Sequence, residues 1–306
     1  MATHPHAAAL VPVTKTLLRR WPLPALSSGA DKERRGDLLV LAGSTETPGA
    51  AVLAALAALR VGAGKLTIGA PAAVAPSIAS SVPEARVLAL PSSSDGGITA
   101  GALRVVRTAV ARADAILVGP GMTDSPALRD LVQSVVARPK APALVLDAAA
   151  LHSVAKLQKL RRAHTPYAVI TPHAGEMARL VGSARQAVES EPAGFARRLA
   201  REANVIVVLK GAVTIIAHPA GHAWKHVGDA IGLATSGSGD TLAGAIAGLA
   251  ARGAVMEQAA AWGVAVHALA GKALTLRYKG PGLLAREIAG EMPGILNTLE
   301  AKAGRG

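Results

Sequence analysis

Short runs of β-branched or leucine-rich residues recur along the chain: "DLLVLAG", "KLTIGA", "RVLAL", "AILVG", "ALVLDA", "YAVITP", "VIVVLKG" and "VTIIAH". Most are apolar throughout instead of alternating with polar residues, the pattern of strands covered on both faces. Longer segments of helical period lie between most of them, as in "GAAVLAALAALRVG" and "AGALRVVRTAVARA". This alternation predicts an α/β fold, a three-layer αβα sandwich with a mostly parallel central sheet. The last two runs are too close for a crossover helix and predict a hairpin near residue 212. "EQAAAWGVAVHALAGKALTL" and "LLAREIAGEMPGILNTLE" predict two further helices. "LPSSSDGGITAG" reads as a surface loop. With no low-complexity linker or internal repeat, the expectation is one domain over 31–306 behind an N-terminal extension of 1–30.

Composition narrows the chemistry. The 306 residues are 51% apolar, enough for a sizeable core. Cysteine is absent, which excludes disulfides, thiolate metal sites and a cysteine nucleophile. Arg19 and Arg20 interrupt the only candidate apolar stretch near the start, so no signal peptide is expected. Elsewhere Pro, Gly or charge breaks the most apolar windows before a span's length, so the reading is a cytoplasmic protein with no membrane partner.

A formal net charge of +13 points to an anionic ligand. Aromatic residues, at 2%, are too few for base-stacking platforms, and the basic residues are scattered. The densest cluster, in "LQKLRRAHTP", reads as a solvated helix end. A phosphorylated small molecule fits better than nucleic acid.

Polar and Gly-rich elements gather at strand ends, where ligands bind in open parallel sheets. In "GLATSGSGDTLAGAIAGL" the small residues from Ser236 to Gly239 allow a tight turn before an apolar helix, the form of a phosphate cradle. Asp240 at that junction is either an N-cap or the carboxylate that accepts a substrate hydroxyl proton, its pKa lowered by the helix dipole. Lys210 ends a strand as a phosphate contact or as a solubilising edge lysine. His173 and Glu176 in "TPHAGE" are three apart, and Glu176 alone would serve to support the first turn of a helix. Asp147 either orients a magnesium-bound water or caps the next helix, "VGPGM" gives close backbone approach or only a turn, and His267 reads as a core histidine.

In order, "KERRGDLLVLAGSTETPGAA", "LVGPGM", "VLDAAAL", "TPHAGEMARLVG", "VVLKGAVTIIA" and "GLATSGSGDTLAGAIAGL" resemble the ADP- or ATP-dependent NAD(P)H-hydrate dehydratases, a branch of the ribokinase-like superfamily. The likeness runs from about Lys32 to Glu300, and His173-Ala-Gly-Glu176 separates it from the sugar kinases. It implies a hydro-lyase that returns the S epimer of hydrated NADH or NADPH to NAD(P)H, consuming ADP or ATP with Mg2+.

By the same resemblance Asp240 faces the reactive hydroxyl, Ser236, Gly237, Ser238 and Gly239 hold the transferred phosphate, and Lys210, Gly211, Ala212, Val213 and Thr214 lie along the nucleotide. Ala50, Gly121 and His173 line the nicotinamide pocket, with Asp147 and Glu176 as supporting residues. A homotetramer and a separate epimerase are implied as well. The chain departs from the family's pattern at Asp31-Lys32 and at Asp229. The rival readings are a vitamin-precursor kinase of the same fold and a nucleotide-binding protein without turnover.

Overall fold

A computed structural model describes residues 9–25, 35–138, 141–157, 168–228 and 230–301. Asp31, Lys32, Asp229 and the basic residues of "LQKLRRAHTP" lie outside them. In chain order the elements begin with β1 (Val11–Pro12), α1 (Lys15–Arg20), β2 (Asp37–Leu41), α2 (Gly49–Arg60), β3 (Lys65–Pro71), α3 (Ala75–Ser81) and β4 (Arg86–Leu90). Next come α4 (Ala102–Arg112), β5 (Ala115–Val118), α5 (Pro126–Val136), β6 (Ala143–Leu146), a 3-10 turn (Ala148–Ser153), α6 (Val154–Leu157), β7 (Ala168–Ile170), α7 (Ala174–Val181), α8 (Arg185–Ser190) and α9 (Pro192–Ala203). The chain closes with β8 (Ile206–Leu209), β9 (Val213–Ala217), β10 (Ala223–Val227), α10 (Ser238–Ala251), α11 (Met256–Tyr278) and α12 (Ala285–Glu300).

The strands form a single sheet in the order β1-β10-β9-β8-β7-β6-β5-β2-β3-β4. From β8 to β4 every pairing is parallel, and β9 runs against both of its neighbours, making the hairpin expected near residue 212. Successive strand residues point to opposite faces. Leu38, Val40, Leu117, Val145 and Val208 join one core with α2, α10, α11 and α12, while Leu39, Leu41, Val118, Leu146 and Val207 join another with α4, α5, α7 and α9. The result is the three-layer αβα sandwich.

Two strands escape the sequence pattern. β10, "AWKHV", carries Lys225 and His226, and β1 is two residues long. Residues 9–25 attach firmly to the sheet and its covering helices. Val11 pairs with Trp224, Trp21 stacks on Trp224 at 5.7 Å, and Trp262 Nε1 and Gln258 Nε2 donate to the Trp21 carbonyl at 2.8 and 3.1 Å. Contrary to the reading that the most apolar windows are broken before a span's length, α11 spans 23 residues and is apolar enough to cross a membrane by length and composition. It is core here: 67% of that window is buried, against α10 and α12.

Candidate active site

Strand order reverses between β2 and β5. The chain steps from β2 through β3 to β4, then returns to the other side of β2 with β5 and continues to β8. Ligands in open α/β sheets bind in the crevice outside the carboxyl ends at such a reversal. The loops after β2 and β5 are tied together there: Thr47 Oγ1 donates to the Gly121 carbonyl at 2.8 Å and lies 3.0 Å from Ser44 Oγ. Gly121 has φ +62, and a Cβ on it would come within 2.6 Å of the Ala50 Cβ. Ala50 and Gly121 therefore form one wall.

One turn further along α2, Leu53 and Ala54 reach α10. A Cβ on Gly237 would stand 2.4 Å from Leu53 Cδ1, and one on Gly244 would stand 2.1 Å from the Ala54 carbonyl oxygen. Gly237, in the left-handed region at φ +84, is the N-cap, and the helix starts at Ser238. This corrects the N-cap reading of Asp240, which occupies the first turn itself. The free N–H groups of that turn face outward with the positive end of the helix dipole, an arrangement that binds anions. Beneath it, His267 Nε2 lies 3.1 Å from Ser238 Oγ and 3.0 Å from the Ser238 carbonyl. The core-histidine reading holds, and the contact also anchors the turn.

The opposite wall comes from β6, β7 and β8. Asp147, 2% exposed, accepts at Oδ1 from Thr171 Oγ1 at 2.6 Å and from Lys210 Nζ at 2.9 Å. Asp147 therefore spends its carboxylate on Lys210 and makes no side-chain cap for the 3-10 turn. Lys210 is not an edge lysine, because β8 has neighbours on both sides and the side chain is only 19% exposed. Glu176 Oε2 lies 4.0 Å from Lys210 Nζ and accepts from the His173 backbone N–H at 2.8 Å. His173 completes a capping box by accepting at Nδ1 from the N–H groups of Gly175 and Glu176, at 3.0 and 3.2 Å. The ring proton is thereby left on Nε2. Glu176 thus supports the first helical turn as expected and faces Lys210 as well.

Beside this wall opens a cavity of about 800 Å³. Lys210, Gly211, Ala212 and Thr214 from the β8–β9 hairpin line it, with Ser238 and Gly239 from the turn and His173 at one rim. Ala50, Gly121, Val213, Ser236, Gly237 and Asp240 are not among its lining residues, and Val213 and Ser236 are exposed. His226, Thr235 and Leu242 line it without having been singled out in the sequence. His226 sits on the half-polar β10, whose pattern gave no strand signal.

Charge and burial set the proton affinities. Asp240 is pushed up to about 6, first by burial and then by the Asp147 carboxylate, against the lowering effect of Lys210. This reverses the expected lowering: loss of water and the Asp147 charge together outweigh Lys210. Burial works against the charge on Lys210, yet Asp147, Glu176 and Asp240 outweigh it and hold the ammonium above the ordinary lysine range. Burial lowers His267 to about 4, so it is neutral at physiological pH.

Residues 38–293 match the family described as NAD(P)H-hydrate dehydratase. The chain is 47% identical over 287 residues to an ADP-dependent (S)-NAD(P)H-hydrate dehydratase of Xanthomonas campestris, covering 94% of this chain and 96% of that protein. It is 36% identical over 282 residues to a bifunctional NAD(P)H-hydrate repair enzyme of Moorella thermoacetica, covering 92% of this chain but 53% of that one, about half its length. The crystal structure of an ADP/ATP-dependent NAD(P)H-hydrate dehydratase from Bacillus subtilis, co-crystallised with ATP and Mg2+, matches with a TM-score of 0.78 at 30% identity, over 96% of this chain and 100% of that one. The fold is accordingly ribokinase-like.

Proposed function

The chain belongs to the NAD(P)H-hydrate dehydratase family, and from that premise we propose that it dehydrates the S epimer of hydrated NADH or NADPH with ADP as phosphoryl donor, releasing AMP and phosphate. One observation carries the mechanism: a carboxylate with its pKa near 6, Asp240, stands in the first turn of a helix directly after Ser238 and Gly239, which line a nucleotide-sized cavity. A base of that strength is a fair acceptor for a hydroxyl proton at neutral pH and is largely ionised there.

The nucleotide lies along Lys210 to Thr214, its terminal phosphate at the first turn of α10, where Ser236, Gly237, Ser238 and Gly239 shape the backbone. The hydrated ring lies against Ala50, Gly121 and His173. The ring hydroxyl attacks the terminal phosphorus, its proton passes to Asp240, and the bond to the nucleoside monophosphate breaks. The ring nitrogen lone pair then expels phosphate together with the former hydroxyl oxygen. Loss of a proton from the neighbouring carbon restores the dihydronicotinamide double bond, so the sum is hydrate plus ADP to NAD(P)H, AMP and phosphate.

Among the described residues no three His, Asp or Glu side chains converge to hold a metal ion. Mg2+ would arrive with the nucleotide, held mainly by phosphate oxygens and water as is usual for that ion. The expected assembly is a homo-oligomer, a tetramer, which light scattering of the purified protein would test. A separate epimerase that interconverts the two epimers of the hydrate is the expected partner.

The decisive experiment incubates the protein with hydrated NADH, Mg2+ and either ADP or ATP, and follows dihydronicotinamide absorbance and free phosphate together. Absorbance should return only with nucleotide, one phosphate per NADH, and faster with ADP. A phosphorylated product that persists would overturn the reading in favour of a kinase.

A further inference from the structure

Lys210 stands among three acidic side chains. Asp147 Oδ1 is 2.9 Å from its ammonium and Glu176 Oε2 4.0 Å, and the charge of Asp240 acts on it as well. A Cβ on Gly239 would lie 3.3 Å from Lys210 Nζ, so the ammonium sits against the first turn of α10. Asp147 is fixed in turn by Thr171, a fully buried hydroxyl donating to the same Oδ1. Burying such an array is unfavourable, and apolar residues of similar volume would stabilise a sheet at least as well. Its position beside Asp240 suggests a task in catalysis.

We propose that Asp147 is a positioning residue that holds the Lys210 ammonium under the N-terminus of α10, so that Lys210 acts at the transfer-centre end of the nucleotide stretch, beside Asp240 and the phosphoryl group in transit. The proposal rests on the reading of Asp240 as the base. Electrostatics agree in sign: Asp147 raises the proton affinity of Asp240 and Lys210 lowers it. The other titratable groups are His267 from α11, His226 from β10 and His173 at the start of α7, which line the cavity with the start of α10, and Glu176, which faces Lys210. From α2 and α12 come apolar Leu53, Ala54 and Ala285.

The test titrates Asp240 by NMR of isotope-labelled aspartate carboxyl groups in the full chain, a readout that needs no turnover, in the native protein, Asp147→Asn and Lys210→Met. Asp240 should titrate at lower pH in Asp147→Asn and at higher pH in Lys210→Met, and the acid limb of kcat for the hydrate should move the same way in each. Both variants should lose about tenfold or more in kcat while KM for ADP changes by less than about threefold, the mark of misplacement at the reacting centre. Should Asp147→Asn fail to fold because the Lys210 ammonium loses its nearest carboxylate, the double variant Asp147→Asn/Lys210→Met removes both charges and should fold yet keep the kcat loss. Shifts in one common direction, no shift, native kcat in the double variant, or a KM loss as large as the kcat loss would each overturn the proposal. If the titrations move oppositely but the native protein turns over no hydrate, the assigned reaction fails and the positioning role stands.

Discussion

Asp240 is held in a state that suits chemistry and opposes stability. Its pKa is raised from 3.8 to about 6, chiefly by burial, so the folded protein binds that proton more tightly than the unfolded chain. The stabilisation from that proton is complete below pH 4 and is lost as pH rises through 6; above that the ionised carboxylate weighs against the fold. Asp240→Asn should therefore abolish turnover and raise stability at pH 8 by roughly 1–3 kcal/mol, with no gain at pH 4. Thermal or urea unfolding at the two pH values checks this, and a variant less stable than the native protein at pH 8 would show that the carboxylate is structural. ADP affinity should fall only modestly. The candidate residues were legible because "TPHAGE", "VVLKG" and "SGSGD" each end a strand or open a helix, which gives a polar residue a place at the sheet's edge. Their electrostatics were not legible. The bond between Lys210 and Asp147 joins positions 63 apart, and the direction of the Asp240 shift depends on burial that only packing creates.

At the scale of elements, the site depends on how closely α10 lies on α2. Gly244 and Gly248 of α10 face the backbone of α2: a Cβ on Gly244 would stand 2.1 Å from the Ala54 carbonyl oxygen, and one on Gly248 would stand 2.6 Å from that of Ala58. Gly244→Ala gains helix propensity but forces two backbones apart, so it should lose about 1–3 kcal/mol by overpacking. Because α10 carries Asp240 and α2 carries Ala50, kcat should fall with it. Gly290→Ala on α12, where nothing lies within 4 Å, is the control and should gain about 0.5–1 kcal/mol with kcat unchanged. Melting curves and turnover of the two variants decide it, and equal effects would mean that the contact between α10 and α2 is soft. The parallel strands were legible because burial on both faces makes them apolar throughout. β10 was not, since its half-polar sequence makes sense only once β1 and the hairpin are in place, and β1 is too short for any pattern. The N-cap of α10 was misjudged by three residues because the left-handed Gly237, not Asp240, opens the helix.

Over the whole molecule, the net charge of +13 has no counterpart in any one basic block of the sequence. Nor do the site's own groups account for it, since Lys210 is already matched by carboxylates. A diffuse excess of this size acts through the summed field, which attracts anionic ligands and raises association rates, and which salt screens over a Debye length of about 8 Å at physiological ionic strength. Both expected ligands are anions, and hydrated NADPH carries one phosphate more than hydrated NADH. If the excess charge serves capture, raising ionic strength should lower kcat/KM by about tenfold or more between roughly 0.02 and 0.5 M salt while kcat stays nearly constant. The slope should be steeper for the NADPH hydrate than for the NADH hydrate. Chloride and acetate at matched ionic strength should give the same curve, whereas sulfate should inhibit beyond it by competing for the N-terminus of α10. Equal slopes for the two hydrates would assign the salt effect to the shared diphosphate and its local contacts, and a flat response would remove long-range attraction from the account of how this protein gathers its substrates.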